Sequence, residues 1–174
     1  MKSPEETNEL VRQLARLFHE AAASTGWGPD IEWFACDGNG HVAEFASAGI
    51  GLIPSAALAD PYGHVAVWRA LEARELSADA SGFELFRLAP TRGAFAFDYS
   101  SAHGGYAQHE PRLPYRRVGL PEHPIQTEAM PQSAQSYLAS IHYRGSCFAN
   151  VDAIVVEDHF DSIHRPTMWD RPDS

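Results

Sequence analysis

Apolar residues recur three and four apart near the start of the chain. Leu10, Leu14, Leu17, Phe18 and Ala21 fall on one side of a predicted helix, with Arg12, Arg16 and Glu20 on the other. Thr7 or Ser3 can cap it, and Glu5, Glu6 and Glu9 suit the positive end of its dipole. Ser24-Thr25-Gly26 supplies the stop, because glycine accepts the positive φ of a helix end. A hairpin is then expected: Ile31–Cys36 and His41–Ala46 read as strands, with Asp37-Gly38-Asn39-Gly40 turning between them. Ala48–Pro54 reads as irregular. Helical spacing returns at Val65, Trp68, Leu71 and Leu76, with Arg69, Glu72, Arg74 and Glu75 on the other faces.

The middle of the chain changes to short aromatic runs. Phe83–Leu88 and Ala94–Tyr99 are expected strands joined by a turn at Pro90-Thr91-Arg92-Gly93. Ser100–Glu110 reads as a loop and Tyr115–Val118 as a further strand. Pro121, Pro124 and Pro131 punctuate a connector into a helix over Gln132–Ile141, and Cys147–Val156 reads as a last strand ending in acidic groups. No internal repeat or glycine-serine linker divides this layout. The expectation is one α+β domain spanning 1–174, with a mostly antiparallel sheet, an N-terminal helix and one or two further helices packed on the sheet.

Composition narrows the functional classes. The 174 residues carry 44% hydrophobic and 21% charged side chains, an ordinary globular balance. The 13 basic and 23 acidic residues leave a net charge of −10. Such a surface repels a phosphate backbone and attracts a cationic protein; it also serves plain solubility. Twelve of the 13 cations are arginine, Lys2 being the exception. Cys36 and Cys147 can pair in principle, but small buried thiols in a reducing cytoplasm are the simpler reading. Met1–Glu6 has no apolar segment of signal-peptide type, and no run approaches the roughly 20 apolar residues that span a bilayer. A cytoplasmic location is expected.

Familiar catalytic motifs fail on named missing partners. Gly49-Ile50-Gly51 lacks the third glycine of a dinucleotide fingerprint and the lysine of a P-loop, so it reads as a turn. Asp37-Gly38-Asn39-Gly40 opens like a calcium loop, but Gly40 comes too early and His41 holds the fifth position. Phe45 stands where a nucleophile elbow at Ser47 needs glycine. Neither cysteine has neighbours that would lower its pKa. His159 and Asp161 share a face if their segment is extended, and with His164 or His142 they form the best histidine-carboxylate candidate for a metal. Recognised metal spacings are absent, and His103 and His109 are weaker candidates in a glycine-bearing loop. Arg112, Arg116 and Arg117 suit an anion or, on so acidic a chain, internal ion pairs.

The acidic C-terminal stretch is more informative. Asp152, Glu157, Asp158 and Asp161 occur without a lysine or arginine among them, either as a solvated face or as a docking patch for a cationic partner. Two segments also carry a resemblance. Trp33–Pro54 resembles the opening hairpin of small bacterial proteins, and Tyr115–Pro124 followed by a helix and Cys147-Phe148 is similar to their later half. Some of those proteins look like immunity proteins of bacterial polymorphic-toxin systems, which bind and block a cognate toxin. The resemblance implies a partner-binding role and carries over no catalytic residue. The expected function is therefore an immunity-like protein that occludes a toxin's active site, not an enzyme. Asp152, Glu157, Asp158 and Asp161 would face the partner; no cofactor, metal, nucleic acid or membrane is expected. The alternatives are a metal-dependent, hydrolase-like enzyme with a His/Asp site, and a non-catalytic accessory subunit.

Overall fold

A computed structural model describes residues 4–24, 28–74, 81–82, 88–99 and 113–164. Ser3, Thr25, Gly26, Glu75, Leu76, the strand expected at 83–87, the loop at 100–110 with His103 and His109, and Arg112 lie outside the described residues.

The N-terminal helix, α1, runs Pro4–Ala23 with Glu5 and Glu6 in its first turn. Its buried stripe is Val11, Phe18 and Ala21, with Leu14 packed partly against the core. Leu17, expected in the stripe, is instead 40% exposed. It sits one residue, about 100° of helical turn, from Phe18, and Val11 takes the inward place.

Strands β1 (Glu32–Cys36) and β2 (Val42–Ala46) form the expected antiparallel hairpin, with Trp33 opposite Phe45 and Cys36 opposite Val42. The turn closes because Gly40 takes φ +77° and the Asp37 carboxylate accepts the N–H groups of Asn39 and His41. From β2 the chain passes through β3 (Ile53–Pro54), α2 (Ser55–Ala59) and α3 (Pro61–Glu72). It continues past β4 (Ser81–Gly82) and α4 (Leu88–Thr91) before β5 (Phe95–Tyr99) joins β2 in parallel. A parallel pairing demands such a long crossover. Leu88–Thr91 is thus a short helix where a strand end and a turn were expected, and Gly93, at φ +96°, completes the reversal into β5.

β6 (Tyr115–Leu120) runs antiparallel to β5, and β7 (Ala153–Ile154) and β4 pair with β6. The main sheet has the order β1-β2-β5-β6-β4, with β7 also on β6; among its described strand pairs only β2–β5 is parallel, so the sheet is mostly antiparallel. β3 pairs separately with β8 (Ile163–His164). α5 (Gln132–Ser140) occupies the helix expected after the prolines. The α+β class holds. No helix among the described residues is long and apolar enough to cross a membrane.

Both faces of the central strands are covered, which is why Trp33, Phe34, Ala35 and Cys36 are all buried instead of alternating. One face is aromatic. Trp33 stacks on Phe45 at 4.1 Å between ring centroids and Phe45 on Phe97 at 5.0 Å, while Phe148, Tyr143 and Phe160 close over these rings. Tyr115, wholly buried, donates its hydroxyl to the Leu52 carbonyl at 3.0 Å and accepts the Trp33 indole N–H at 3.3 Å. That hydroxyl also accounts for Gly51, where a Cβ would stand 2.5 Å from it. The other face meets α3 and α5: Phe34 packs on His64, and His64 reaches the Tyr137 hydroxyl. Burial drives the His64 pKa down to about 4, so this imidazole is neutral at physiological pH.

The segment expected as a strand over Cys147–Val156 departs most. Phe148–Asn150 is a 3-10 turn, β7 is two residues long, and Val156–His159 forms a short helix, α6. Side chains take the hydrogen bonds a ladder would have used. Asp37 accepts the Phe148 N–H at 2.9 Å, and Arg117 donates to the carbonyls of Phe148 and Ala149.

Candidate functional site

The hairpin turn and the 3-10 turn meet at the end of the sheet, where three chemically distinct groups converge. Asp37 follows β1, His41 precedes β2, and Cys147 comes from the C-terminal segment. His41 Nδ1 stands 3.2 Å from Asp37 Oδ2 and 3.3 Å from Cys147 Sγ. The ligand-type atoms of the three lie within 4.8 Å of one another, and no other such group of three occurs among the described His, Cys, Asp and Glu residues.

Asp37 is the buried member and its surroundings are built around it. Its carboxylate accepts backbone N–H groups from Asn39, His41 and Phe148. Burial alone would raise its pKa, but these donors outweigh it and hold the carboxyl below its ordinary value. His41 and Cys147 are only partly buried, and the His41 ring is held against Phe95 at 5.8 Å between centroids. The second cysteine differs. Cys36 points to the other face of the strand, donates to the Leu138 carbonyl and lies 3.7 Å from His142 Nδ1. Burial, then the nearby Asp37 charge, pushes its thiol up to about 11, so it stays protonated. Both cysteines are free. Cys36 is the buried thiol the sequence suggested, whereas Cys147 is partly open to solvent.

The histidine-carboxylate set expected from the sequence is not assembled. His159 packs its ring on Tyr143 at 4.8 Å, Asp161 pairs with Arg144, His164 donates to the Ala21 carbonyl, and His142 stands by Cys36. The extended 159–164 geometry is absent because α6 carries the chain through His159. Ser47 is a local anchor: its hydroxyl oxygen accepts the Ile31 and Gly49 N–H groups.

The four acidic residues divide. Asp152 pairs with Arg117 and Asp161 with Arg144, yet their side chains remain 91% and 82% exposed. Asp158 is exposed as well, while Glu157 is half-buried and its charge is felt by Tyr99. Arginines from elsewhere in the chain thus approach a stretch that reads as purely acidic along the sequence. Arg117 plays the internal ion-pair role weighed for the basic trio; Arg116 is exposed. Sequence reasoning missed the Asp37–His41–Cys147 convergence. The acid-to-histidine spacing in the turn was a visible signal, but Cys147 lies 106 residues from His41.

A second carboxyl pair sits on the hairpin. Glu32 and Glu44 lie diagonally across β1 and β2 on one face. Burial, reinforced by the Glu32 charge, pushes Glu44 up to about 8 against the opposing pull of Arg92.

No protein-family model, curated protein or solved structure matches the chain.

Proposed function

We propose that the chain works by contact with a second protein, as an immunity-like inhibitor that binds a cognate bacterial toxin and occludes its active site. The observation that carries the reading is the way the C-terminal acidic segment is held. Asp152 and Asp161 each keep an arginine partner while presenting most of their surface to solvent, and Asp158 is exposed between them in the chain. Carboxylates fixed in this way lose little side-chain freedom when a cationic surface arrives, which lowers the cost of binding. The net charge of −10 adds a long-range field of the same sign. The resemblance of Trp33–Pro54 and Tyr115–Pro124 to immunity-type proteins points the same way.

In this reading Asp152, Asp158 and Asp161 face the partner, and Glu157, turned partly inward, orders the segment. The partner is cationic around its own substrate cleft; neither nucleic acid nor membrane is engaged, and no catalysis by this chain is needed. The test is co-expression with the toxin encoded beside its gene. Protected cells and a co-purifying one-to-one complex are expected. Unprotected cells, with both proteins folded and no complex formed, would rule the reading out.

A further inference from the structure

We infer that Asp37, His41 and Cys147 form a binding site for one divalent transition-metal ion of the zinc class, with a fourth position open to water. The inference is independent of the partner-binding reading and replaces the sequence-based expectation that no residues form a metal site.

Three observations carry it. The first is the shared atom. Cys147 Sγ and Asp37 Oδ2 both approach Nδ1 of His41, not its two different nitrogens. One ring nitrogen offers either a proton or a lone pair. As Nδ1–H it serves Asp37 and has nothing for the thiol as a donor; as a bare lone pair it accepts the thiol proton and meets the carboxylate with like charge. A nucleophile-base-carboxylate relay needs the acid on the far nitrogen, so this arrangement does not suit one. A cation takes a lone pair from all three groups at once.

The second is spacing. Zinc bonds of about 2.3 Å to sulfur and about 2.0–2.2 Å to nitrogen and oxygen place tetrahedral ligand atoms about 3.4–3.6 Å apart. The observed Sγ–Nδ1 and Nδ1–Oδ2 distances, 3.3 and 3.2 Å, need to open by only a few tenths of an ångström. A soft thiolate, an imidazole and one carboxylate favour zinc over calcium or magnesium, which take oxygen ligands.

The third is support around the ligands. Four donors converge on Asp37: the N–H groups of Asn39, His41 and Phe148, and the His41 ring. A carboxylate offers about four acceptor sites. A metal takes the place of the ring proton and leaves three backbone N–H groups to orient the carboxylate, as outer-sphere partners do in metal centres. Asp37 is buried while His41 and Cys147 are half-buried, so solvent reaches the site from their side. Bound metal would tie the hairpin turn to the C-terminal segment.

The experiment uses the full chain purified without an affinity tag, titrated with Co2+ and then Zn2+. One Co2+ per chain with a thiolate-to-cobalt charge-transfer band is expected, and Zn2+ should displace it. Cys147→Ser should abolish the band, and His41→Gln should weaken Zn2+ binding at least tenfold; Cys36→Ser should keep both. Thiol alkylation provides a readout that needs no variant: Zn2+ should slow modification of Cys147 in the wild-type chain at least tenfold. The inference is overturned if the folded wild-type chain shows no saturable band, if the band survives in Cys147→Ser, or if Zn2+ leaves the alkylation rate of Cys147 unchanged.

Discussion

Replacing Asp37 tests whether one carboxylate holds the end of the sheet together. Its side chain accepts N–H groups from Asn39, His41 and Phe148 at 2.9, 3.0 and 2.9 Å. Asn39 is exposed, so water replaces its lost partner, but Phe148 is fully buried and His41 partly so. Each orphaned buried amide costs about 1–3 kcal/mol, so losing two makes Asp37→Ala less stable by about 2–6 kcal/mol. Asp37→Asn sharpens the test, because an amide keeps one acceptor for the turn and sets an NH2 donor against the Phe148 N–H. It should lose about 1–3 kcal/mol for that single broken bond. The folded-state pKa of Asp37 lies below its ordinary value, so its contribution is fully present above the unfolded-state value and is lost as pH falls through the folded one. The wild-type advantage over Asp37→Ala should therefore shrink on acidification below about pH 4. Urea unfolding followed by tryptophan fluorescence measures each variant, with the change read in the midpoint at constant slope. An Asp37→Ala chain within about 0.5 kcal/mol of wild type, the usual range for a surface change, would refute the reasoning.

Two other substitutions probe separate parts of the fold. Tyr115→Phe removes a buried hydroxyl bonded to the Trp33 indole and the Leu52 carbonyl, leaving both groups without that partner. It should cost about 1–3 kcal/mol in chemical denaturation, and a neutral result would remove this bridge from the account. For Glu44 the sign is reversed. A carboxyl raised in the folded state, here to about 8, contributes most below its unfolded-state value and loses that contribution as pH rises through the folded one. Glu44→Gln should thus gain in Tm relative to wild type between pH 5 and pH 9; an unchanged difference across that range would show that Glu44 ionises normally.

The elements that could be read from the chain are those with local signals. Asp37-Gly38-Asn39-Gly40 announces its turn because glycine at Gly40 and an acidic side chain at Asp37 are what that turn requires. The spacing of Leu14, Phe18 and Ala21 announces α1 in the same way, although it does not choose between Leu17 and Val11 for the inward place. The misread segment, Cys147–Val156, has strand-like residues, but partners distant in sequence decide its backbone. Asp37 and Arg117 bind Phe148 and Ala149 from 111 and about 30 residues away, and no local propensity encodes that. The site was hidden for the same reason. His41 and Asp37 stand in plain view as a turn, but the group that converts them into a three-ligand cluster arrives from the other end of the chain. The acidic stretch carried a related blind spot, since Arg117 and Arg144 reach Asp152 and Asp161 through space.

The partner-binding claim is tested most directly by stopped-flow association of the chain with the toxin encoded beside its gene, measured across ionic strength. Docking through exposed carboxylates predicts an association rate that falls steeply as salt screens the charges. Changing Asp152, Asp158 and Asp161 together to lysine should lower the low-salt rate at least tenfold while the circular dichroism of the chain stays unchanged. An association rate indifferent both to salt and to that triple change, or no association at all between two folded proteins, would contradict the account.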